Sequence, residues 1–294
     1  MTGSDNITIG RCSNNTGASG SYNILLGCKS GMNVSSGNDN IALGQSALGS
    51  GTITCHGNIA IGKNAGLVAA DAEFNIFIGC GAGQAVTSAD NNVLMGKWSG
   101  YYLTTAINNT YVGGSSGVCR QTGNNNTAIG LDAFSGSATP ADNTGGSNTI
   151  IGAYAGYVVT SGSYNAFLGN DAGRSTTTGS YNTFLGKNAG CCLTTGDENI
   201  FIGCGAGANG IMTADHNIGL GVEAGRKITS GAQNVHIGYK PAAELTTASG
   251  TVYIGQETAE QRQTGDNNIA LGTQALYGDS TPANNTGSYN ISLG

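Results

Sequence analysis

The chain has 294 residues, of which 51 are glycine; only 10% are charged, and the formal net charge is −6 at pH 7. Glycine at this level without a Gly-X-Y period excludes a collagen helix, and three prolines are too few for a disordered low-complexity chain. Because the net charge is negative, the chain lacks the excess of basic residues that binds nucleic acid, and we expect no nucleic-acid partner. No apolar run reaches the ~18 residues of a membrane-spanning helix, so we expect no membrane insertion.

The first predicted element is an Asn-apolar-x-apolar-Gly motif that ends at Gly10 and then returns along the whole chain. Sixteen spacings separate the motif glycines: twelve of 17 residues, two of 18 and two of 22. A fixed period of this kind indicates a solenoid, in which each repeat is one coil stacked on the next. The motif glycines are Gly10, Gly27, Gly44, Gly62, Gly79, Gly96, Gly113, Gly130, Gly152, Gly169, Gly186, Gly203, Gly221, Gly238, Gly255, Gly272 and Gly294.

An asparagine stands four residues before every motif glycine except one, where Thr251 takes its place. Stacked Asn side chains can hydrogen-bond to one another along a solenoid, which satisfies amides that would otherwise be buried and unpaired. We therefore predict a structural Asn ladder. Its members are Asn6, Asn23, Asn40, Asn58, Asn75, Asn92, Asn109, Asn126, Asn148, Asn165, Asn182, Asn199, Asn217, Asn234, Asn268 and Asn290.

Each repeat predicts a short strand, a glycine corner, a tight segment of small residues and a return across the other side. Repeats of 17 residues with this much glycine are too short for strand–helix units, and they suit a β-roll whose strands pair from coil to coil. The predicted fold class is therefore all-β, a β-solenoid (β-roll) of about 17 coils. With strands about 4.8 Å apart, the coils would form one continuous rod roughly 80 Å long.

A larger repeat lies above the coil, because an eight-coil block recurs at an offset of 142 residues. Residues 120–126 read RQTGNNN, and residues 262–268 read RQTGDNN. The sequence therefore predicts two β-solenoid blocks, residues 1–152 and 153–294. Each block carries a five-residue extension, at about 134–144 and 276–286, and insertions of this kind become loops on one edge of a solenoid.

Within each motif, two apolar positions flank one variable position, which is the period of a strand with one buried face. We predict that the flanking positions face the core and that the middle position faces outward. This outward column is nevertheless apolar over much of its length, which is typical of an interface. Three interpretations stay open: packing against other chains as in a trimer, coverage by an extra layer of the same chain, and aromatic contact with a saccharide. The candidate interface residues are Phe77, Leu94, Tyr111, Phe167, Phe184, Phe201 and Tyr253.

No set of residues converges on a catalytic pattern, so we expect a protein that is not an enzyme and has no cofactor or metal site. His56, His216 and His236 occupy different repeat positions in distant coils, and we predict a surface or edge role for each. Calcium-binding β-rolls place Asp at a fixed position of a nine-residue unit, whereas the fixed polar residue here is Asn. The repeat therefore indicates structural asparagines.

The eight cysteines form no Cys-x-x-Cys pair of the kind that binds zinc. Cys28, Cys80 and Cys204 share one repeat position, but the nearest two are three coils apart, about 14 Å, which is beyond disulfide reach. We predict that most of the cysteines are small buried residues. Free thiols favour assembly in a reducing cytoplasm.

The repeats resemble those of two groups of fibrous proteins. Residues 179–190 (GSYNTFLGKNAG) and 58–62 (NIAIG) are similar to the repeat regions of bacteriophage tail fibres and to the Asn-x-x-Ile-Gly repeats of YadA-like trimeric adhesin heads. The period of 17 is longer than that of the adhesin heads, and the Ala-Gly after the corner is closer to the fibre repeats. This resemblance implies a fibrous, often trimeric protein that serves adhesion or receptor reach.

We therefore expect a non-enzymatic shaft or receptor-reaching segment of a phage-type tail fibre, assembled as a homotrimer on a virion. One alternative is a bacterial surface adhesin head. Another is an extracellular filament whose subunits stack end to end through unpaired strand edges. In each case a cell-surface receptor or a saccharide is the expected external partner. Without a visible polar cap before the first motif or after the last, we expect a piece of a longer protein.

Overall fold

A computed structural model describes residues 3–14, 19–50, 52–209, 212–278 and 285–294. The chain is a β-solenoid in which every repeat contributes one three-residue strand, and this confirms the predicted fold class. It divides into two compact units, Met1–Asn148 and Thr149–Gly294. The strands of the first unit are β1 (Ile7–Ile9), β2 (Ile24–Leu26), β3 (Ile41–Leu43), β4 (Ile59–Ile61), β5 (Ile76–Ile78), β6 (Val93–Met95), β7 (Thr110–Val112) and β8 (Thr127–Ile129).

The second unit has the same plan. Its strands are β9 (Thr149–Ile151), β10 (Ala166–Leu168), β11 (Thr183–Leu185), β12 (Ile200–Ile202), β13 (Ile218–Leu220), β14 (Val235–Ile237), β15 (Val252–Ile254), β16 (Ile269–Leu271) and β17 (Ile291–Leu293). Within each unit, every strand pairs in parallel with the next strand along the chain, and equivalent repeat positions face each other. The register in the first unit is illustrated by Ile24 opposite Ile41, and in the second by Phe167 opposite Phe184.

The first extension contains the only helical segment among the residues that the structure describes, a 3-10 turn at Pro140–Asp142. Asn143 closes this loop: its Nδ2 donates to the carbonyl of Cys119 at 2.9 Å and to that of Ser137 at 3.0 Å. The loop is therefore held against the preceding coil. Most of the second predicted extension, residues 279–284, lies outside the described residues.

The predicted faces of the strands are inverted in the structure. The middle residue of each strand points into its coil, and the two flanking residues lie on the outer surface. The prediction of an exposed interface column is therefore wrong, because its members are at most 1% exposed. They are Phe77, Leu94, Tyr111, Phe167, Phe184, Phe201 and Tyr253.

The size of the neighbouring residues explains this inversion. Gly66 and Gly83 lie against the ring of Phe77, where an added Cβ would come within 2.6 and 2.5 Å of ring atoms. The glycine after each small residue thus makes room for a large side chain from the strand. Inside the second unit, the rings of Phe167 and Phe184 stack with their centroids 4.7 Å apart. Such close packing contributes more than the burial of area alone.

Two further columns contribute to the core of each coil. The small residue three positions after the motif glycine is buried, as at Ala65 and Ala189. A second column, seven positions after the motif glycine, is also buried, although its residues vary in size. Members of that second column include Val34, Val86, Leu103, Val159, Leu193, Ile228 and Leu245.

Candidate functional site

The predicted asparagines form a continuous hydrogen-bonded ladder through most coils of each unit. Oδ1 of Asn75 accepts hydrogen bonds from the backbone N–H of Asn92 at 2.9 Å and from its Nδ2 at 3.1 Å. Nδ2 of Asn92 also donates to the carbonyl of Ala106 in the next coil at 2.9 Å. Asn92 is fully buried, so each amide satisfies polar groups that water cannot reach.

The ladder is interrupted where Thr251 replaces asparagine. Oγ1 of Thr251 donates its single hydrogen to Oδ1 of Asn234 at 2.6 Å, and the same oxygen lies 3.0 Å from Nε2 of His236. Because the hydroxyl hydrogen is already used, Nε2 of His236 must be the donor of the second bond. The neutral imidazole therefore carries its proton on Nε2. Its ring stacks on Tyr253 with centroids 5.3 Å apart.

His236 lies in the core and not on the surface, so the predicted surface or edge role is wrong for this histidine. It is the middle residue of β14 and is fully buried. Burial lowers its pKa to about 3, because the charged imidazolium would lose its hydration inside the coil. Its Nδ1 has no hydrogen-bond partner among the described residues. Protonation is therefore unfavourable as long as the coil is closed.

This histidine makes the stability of the second unit depend on pH. An unfolded histidine binds a proton below about pH 6.5, whereas folded His236 stays neutral until about pH 3. The contribution of His236 to the free energy of unfolding is therefore at its full value above about pH 6.5, and it decreases as the pH falls towards 3. We expect a loss of about 2 kcal/mol by pH 5 from this residue. His236→Phe should remove that loss, because Phe201 fills the same repeat position. Urea unfolding at pH 7.5 and pH 5 measures the difference.

The control for this experiment is His216→Gln, because His216 is half-exposed and pairs with Glu198 at 3.3 Å on the surface. That variant should keep the pH dependence of the wild type. An unchanged pH dependence in His236→Phe would contradict the assignment. The third histidine, His56, accepts a hydrogen bond at Nδ1 from the backbone N–H of Asn38 at 3.0 Å, which is a structural edge role.

A second side-chain ladder lies two residues before the Asn ladder, and sequence reasoning missed it. Oδ1 of Asp90 accepts from the backbone N–H of Glu73 at 2.8 Å, and Oδ1 of Asp197 accepts from that of Ser180 at 2.7 Å. The residue type varies between Asn, Asp, Ser and His, so the column shows no single letter in the sequence. Its shared property is a side chain that can accept a hydrogen bond from the backbone of the preceding coil.

Two buried arginines anchor the extended repeats. Arg120 is fully buried, its guanidinium lies 3.8 Å from the centroid of the Phe134 ring, and its Nη2 donates to the carbonyl of Gly145 at 2.7 Å. Burial lowers the pKa of Arg120 to about 10, although the nearby Tyr111 hydroxyl opposes this shift. Arg262 donates in the same way to the carbonyl of Gly287 in the second unit. The motif RQTG shared by both blocks therefore marks a structural anchor.

The cysteines do not follow the predicted buried pattern. Only Cys55 is buried, whereas Cys12, Cys80 and Cys204 are exposed, and all eight are free thiols. Burial raises the pKa of Cys55 to about 11, so this thiol stays protonated near neutral pH. The exposed cysteines lie in the turn that follows the motif glycine, where side chains point away from the coil.

Charged side chains cluster on the surface of the second unit. Glu244 accepts from Arg226 at 2.8 Å and from Lys227 at 2.6 Å, and Arg226 also pairs with Glu223 at 3.1 Å. Each acid in this cluster is matched by a base, which indicates a surface ion-pair network. Across the described ranges, no group of three or more His, Cys, Asp or Glu could hold a metal ion.

The outer sheet face, formed by the first and third residues of every strand, is the most uniform surface of each unit. These residues are intermediate or exposed, and none of them is charged. Ile61 and Met95 are each 37% exposed in the first unit, and Leu168 is 47% exposed in the second. The face of the first unit consists of Ile7, Ile9, Ile24, Leu26, Ile41, Leu43, Ile59, Ile61, Ile76, Ile78, Val93, Met95, Thr110, Val112, Thr127 and Ile129.

The outer sheet face of the second unit contains a shallow apolar groove of about 260 Å³. The groove lies where the small side chain of Ala166 stands between Thr149 and Thr183 in neighbouring strands. The larger Leu168 and Leu185 border it. The outer sheet face is thus a contiguous exposed apolar surface, a feature that marks interaction sites in many proteins.

Comparison with protein families, with curated proteins and with solved structures returned no match to this chain. In the described part of the chain, no helix has the length and apolar character needed to cross a membrane. The fold, the period and the ladders define the class of the molecule, which is a β-solenoid repeat protein.

Proposed function

We propose that this chain is a non-enzymatic structural and adhesive fibre segment whose copies pack against each other through their outer sheet faces. The shaft or receptor-reaching region of a phage-type tail fibre is the role that fits best. The observation that carries the proposal is the charge-free, mostly aliphatic face present in both units. A second copy of the chain is the occupant that we propose for this face.

The extent of the face supports a second copy as its occupant. All sixteen flanking positions along the eight strands of the first unit are at least partly exposed, and five of them are 37% exposed or more. A face without charges is complementary to itself, because no like charges meet when two copies approach. The flanking residues of successive strands are one strand spacing apart along the whole face. The side chains of two faces can therefore interdigitate along their length.

The distribution of polar groups supports a structural role. The buried asparagines of the Asn ladder, Arg120 and His236 form hydrogen bonds inside the fold. The largest charged cluster, around Glu244, is a balanced ion-pair network on the surface.

The test is the mass of the chain in solution, measured by light scattering over a range of concentrations. We expect a fixed multiple of 29.3 kDa. The double variant Ile61→Lys/Met95→Lys should become monomeric, because apposed faces would bury four unpaired ammonium groups per pair of copies. Circular dichroism should be unchanged, since both side chains are already partly exposed.

The matched control adds the same charge away from the sheet. Ser88→Lys/Thr105→Lys changes two exposed residues of the first unit that lie outside the strands, and it should keep the mass of the wild type. A wild type that is monomeric at all concentrations, or a face variant with undiminished mass, would contradict the proposal. A mass that grows without limit would favour the end-to-end filament. A bacterial adhesin head would share the fixed mass, and flanking sequence would distinguish it.

A further inference from the structure

We propose that an aromatic pocket on the first unit is a binding site for a pyranose saccharide. Trp98, Tyr101, Tyr102 and Val118 line a cavity of about 280 Å³ on the surface. This volume is close to the lower end of the about 300–1,000 Å³ typical of small-molecule sites. The inference rests on the adhesive part of the proposed function, for which it names the class of ligand. It does not depend on the outer sheet face.

The local sequence opens this pocket. Trp98 lies two residues after the motif glycine Gly96, in the left-handed region with φ 60°, so its indole points away from the coil. The equivalent residue of the preceding coil is Gly81, whose Cβ would come within 2.9 Å of Cδ1 of Trp98 and 3.4 Å of Tyr101. Asn64 and Asn188 occupy this repeat position elsewhere. The missing side chain at Gly81 therefore leaves room for the indole itself, which lies against this glycine and forms one wall of the pocket.

The rings of the pocket are exposed yet held in place. Trp98 is 45% exposed and Tyr102 is 44% exposed. Tyr101 and Tyr102 meet edge to face, with centroids 4.8 Å apart and planes at 74°. Nε2 of Gln84 donates to Oη of Tyr101 at 2.9 Å, which fixes that ring and leaves its hydroxyl hydrogen for another acceptor. The walls thus combine apolar ring faces with hydroxyl and amide groups at their edges.

This chemistry fits a sugar better than other small ligands. The C–H bonds of a pyranose carry partial positive charge and pack on the electron-rich face of an aromatic ring, while its hydroxyl groups bond to polar groups at the rim. A quaternary ammonium ligand also seeks aromatic rings. Here, however, the ammonium of Lys97 already lies 4.0 Å from the centroid of the Trp98 ring, and its charge opposes a second cation. The pocket therefore selects a neutral or acidic saccharide.

Trp98 is the only tryptophan of the chain, so its fluorescence reports on the pocket directly. We would titrate the full chain with cellopentaose, chitopentaose, maltopentaose and a uronic-acid pentasaccharide, each up to about 20 mM. We expect a saturable change in Trp98 emission for at least one of them, with a Kd on the order of 10⁻⁴ to 10⁻³ M. Choline at the same concentration should produce no change.

Two variants keep the reporter and change the pocket. Tyr102→Ala removes one wall, and Gly81→Asn displaces the indole of Trp98 with a residue that this position accepts in other repeats. Each should weaken binding at least about tenfold, and the exposed control Tyr181→Ala in the second unit should not weaken it. The mass in solution should be the same for all these variants, so failure here is distinct from failure of self-association.

Three results would overturn the inference. One is the absence of a saturable change with all four saccharides. Another is a change in Trp98 emission that follows protein concentration alone, which would show that a second copy of the chain occupies the pocket. Equal affinity of the wild type and Gly81→Asn would also contradict it, because the pocket would then not be the binding site.

Discussion

Gly113→Ala should destabilise the first unit by about 4 kcal/mol or more, whereas Gly114→Ala should change its stability by less than about 0.5 kcal/mol. Gly113 is a motif glycine with φ 136°. Residues that carry a Cβ rarely adopt this backbone conformation. An added Cβ would lie 2.3 Å from the carbonyl oxygen of Gly130, the motif glycine of the next coil. Neither backbone can move without breaking the coil-to-coil hydrogen bonds on both sides.

Gly114 is a matched control because it is the adjacent residue in the same turn. Its Cβ would meet only the side chain of Leu131, at 3.4 Å, and its φ lies outside the left-handed region. Urea unfolding followed by circular dichroism measures both variants. If the unfolding is not a single transition, the transition shifted by Gly113→Ala is the one to compare. Equal stability of the two variants would contradict the packing argument for the corner.

Sequence periodicity was sufficient to predict the fold. The spacing of the glycines required short identical units, and the apolar-x-apolar segment placed a strand in each of them. The Asn ladder could also be predicted, because an amide that recurs once per coil has an acceptor and a donor one coil away. The hydrogen bonds between Asn75 and Asn92 show this geometry. Both inferences depend on what repeats, which a single sequence displays.

The side of the strand that faces the core could not be predicted from alternation. Alternation separates two faces, but which of them is inside depends on the shape of the coil interior. The outer positions of β5 are both isoleucine, and its inner position is Phe77. Ile and Val at the outer positions looked like a core, although β-branched residues favour any strand. The informative signal was the glycine after each small residue, since Gly66 and Gly83 are needed only if a ring lies beside them.

The candidate sites were missed for related reasons. The outer sheet face became visible only once the faces were assigned correctly. The pocket at Trp98 depends on a glycine in the preceding coil and on tyrosines in the same turn, and proximity across coils follows from the fold. The second ladder, with members such as Asp90 and Asp197, shares a function and not a residue type. A sequence pattern that is defined by one residue type does not detect such columns.

The uniform outer sheet face and the irregular turns indicate that these two parts of each repeat have different roles. The flanks of the strands vary little and carry no charge, which suits a surface that must match copies of itself. The turns after the glycine corner vary freely, because their side chains project from left-handed positions, as at Trp98 and Lys240. The proposed assembly and the proposed recognition therefore belong to different parts of one coil, and each can change without the other.

The Asn ladder provides the second large effect. Asn92→Ala should destabilise the first unit by about 4 kcal/mol, because three buried groups lose their partners at about 1–3 kcal/mol each. These groups are the backbone N–H and one Nδ2 hydrogen of Asn109, which Oδ1 of Asn92 accepts, and the carbonyl of Ala106. All three groups lie in the next coil and are lost together, so the cost exceeds that of one ordinary hydrogen bond.

Asn92→Thr should cost only about half as much, since Thr251 shows how a hydroxyl takes this position by donating to the preceding asparagine at 2.6 Å. The exposed neighbour Asn91, which has φ 57°, supplies the control: Asn91→Gly removes an amide without strain and should cost less than about 0.5 kcal/mol. Urea unfolding ranks the three variants. If Asn92→Thr is as damaging as Asn92→Ala, the ladder depends on the amide itself, and Thr251 is tolerated only because His236 donates to its oxygen.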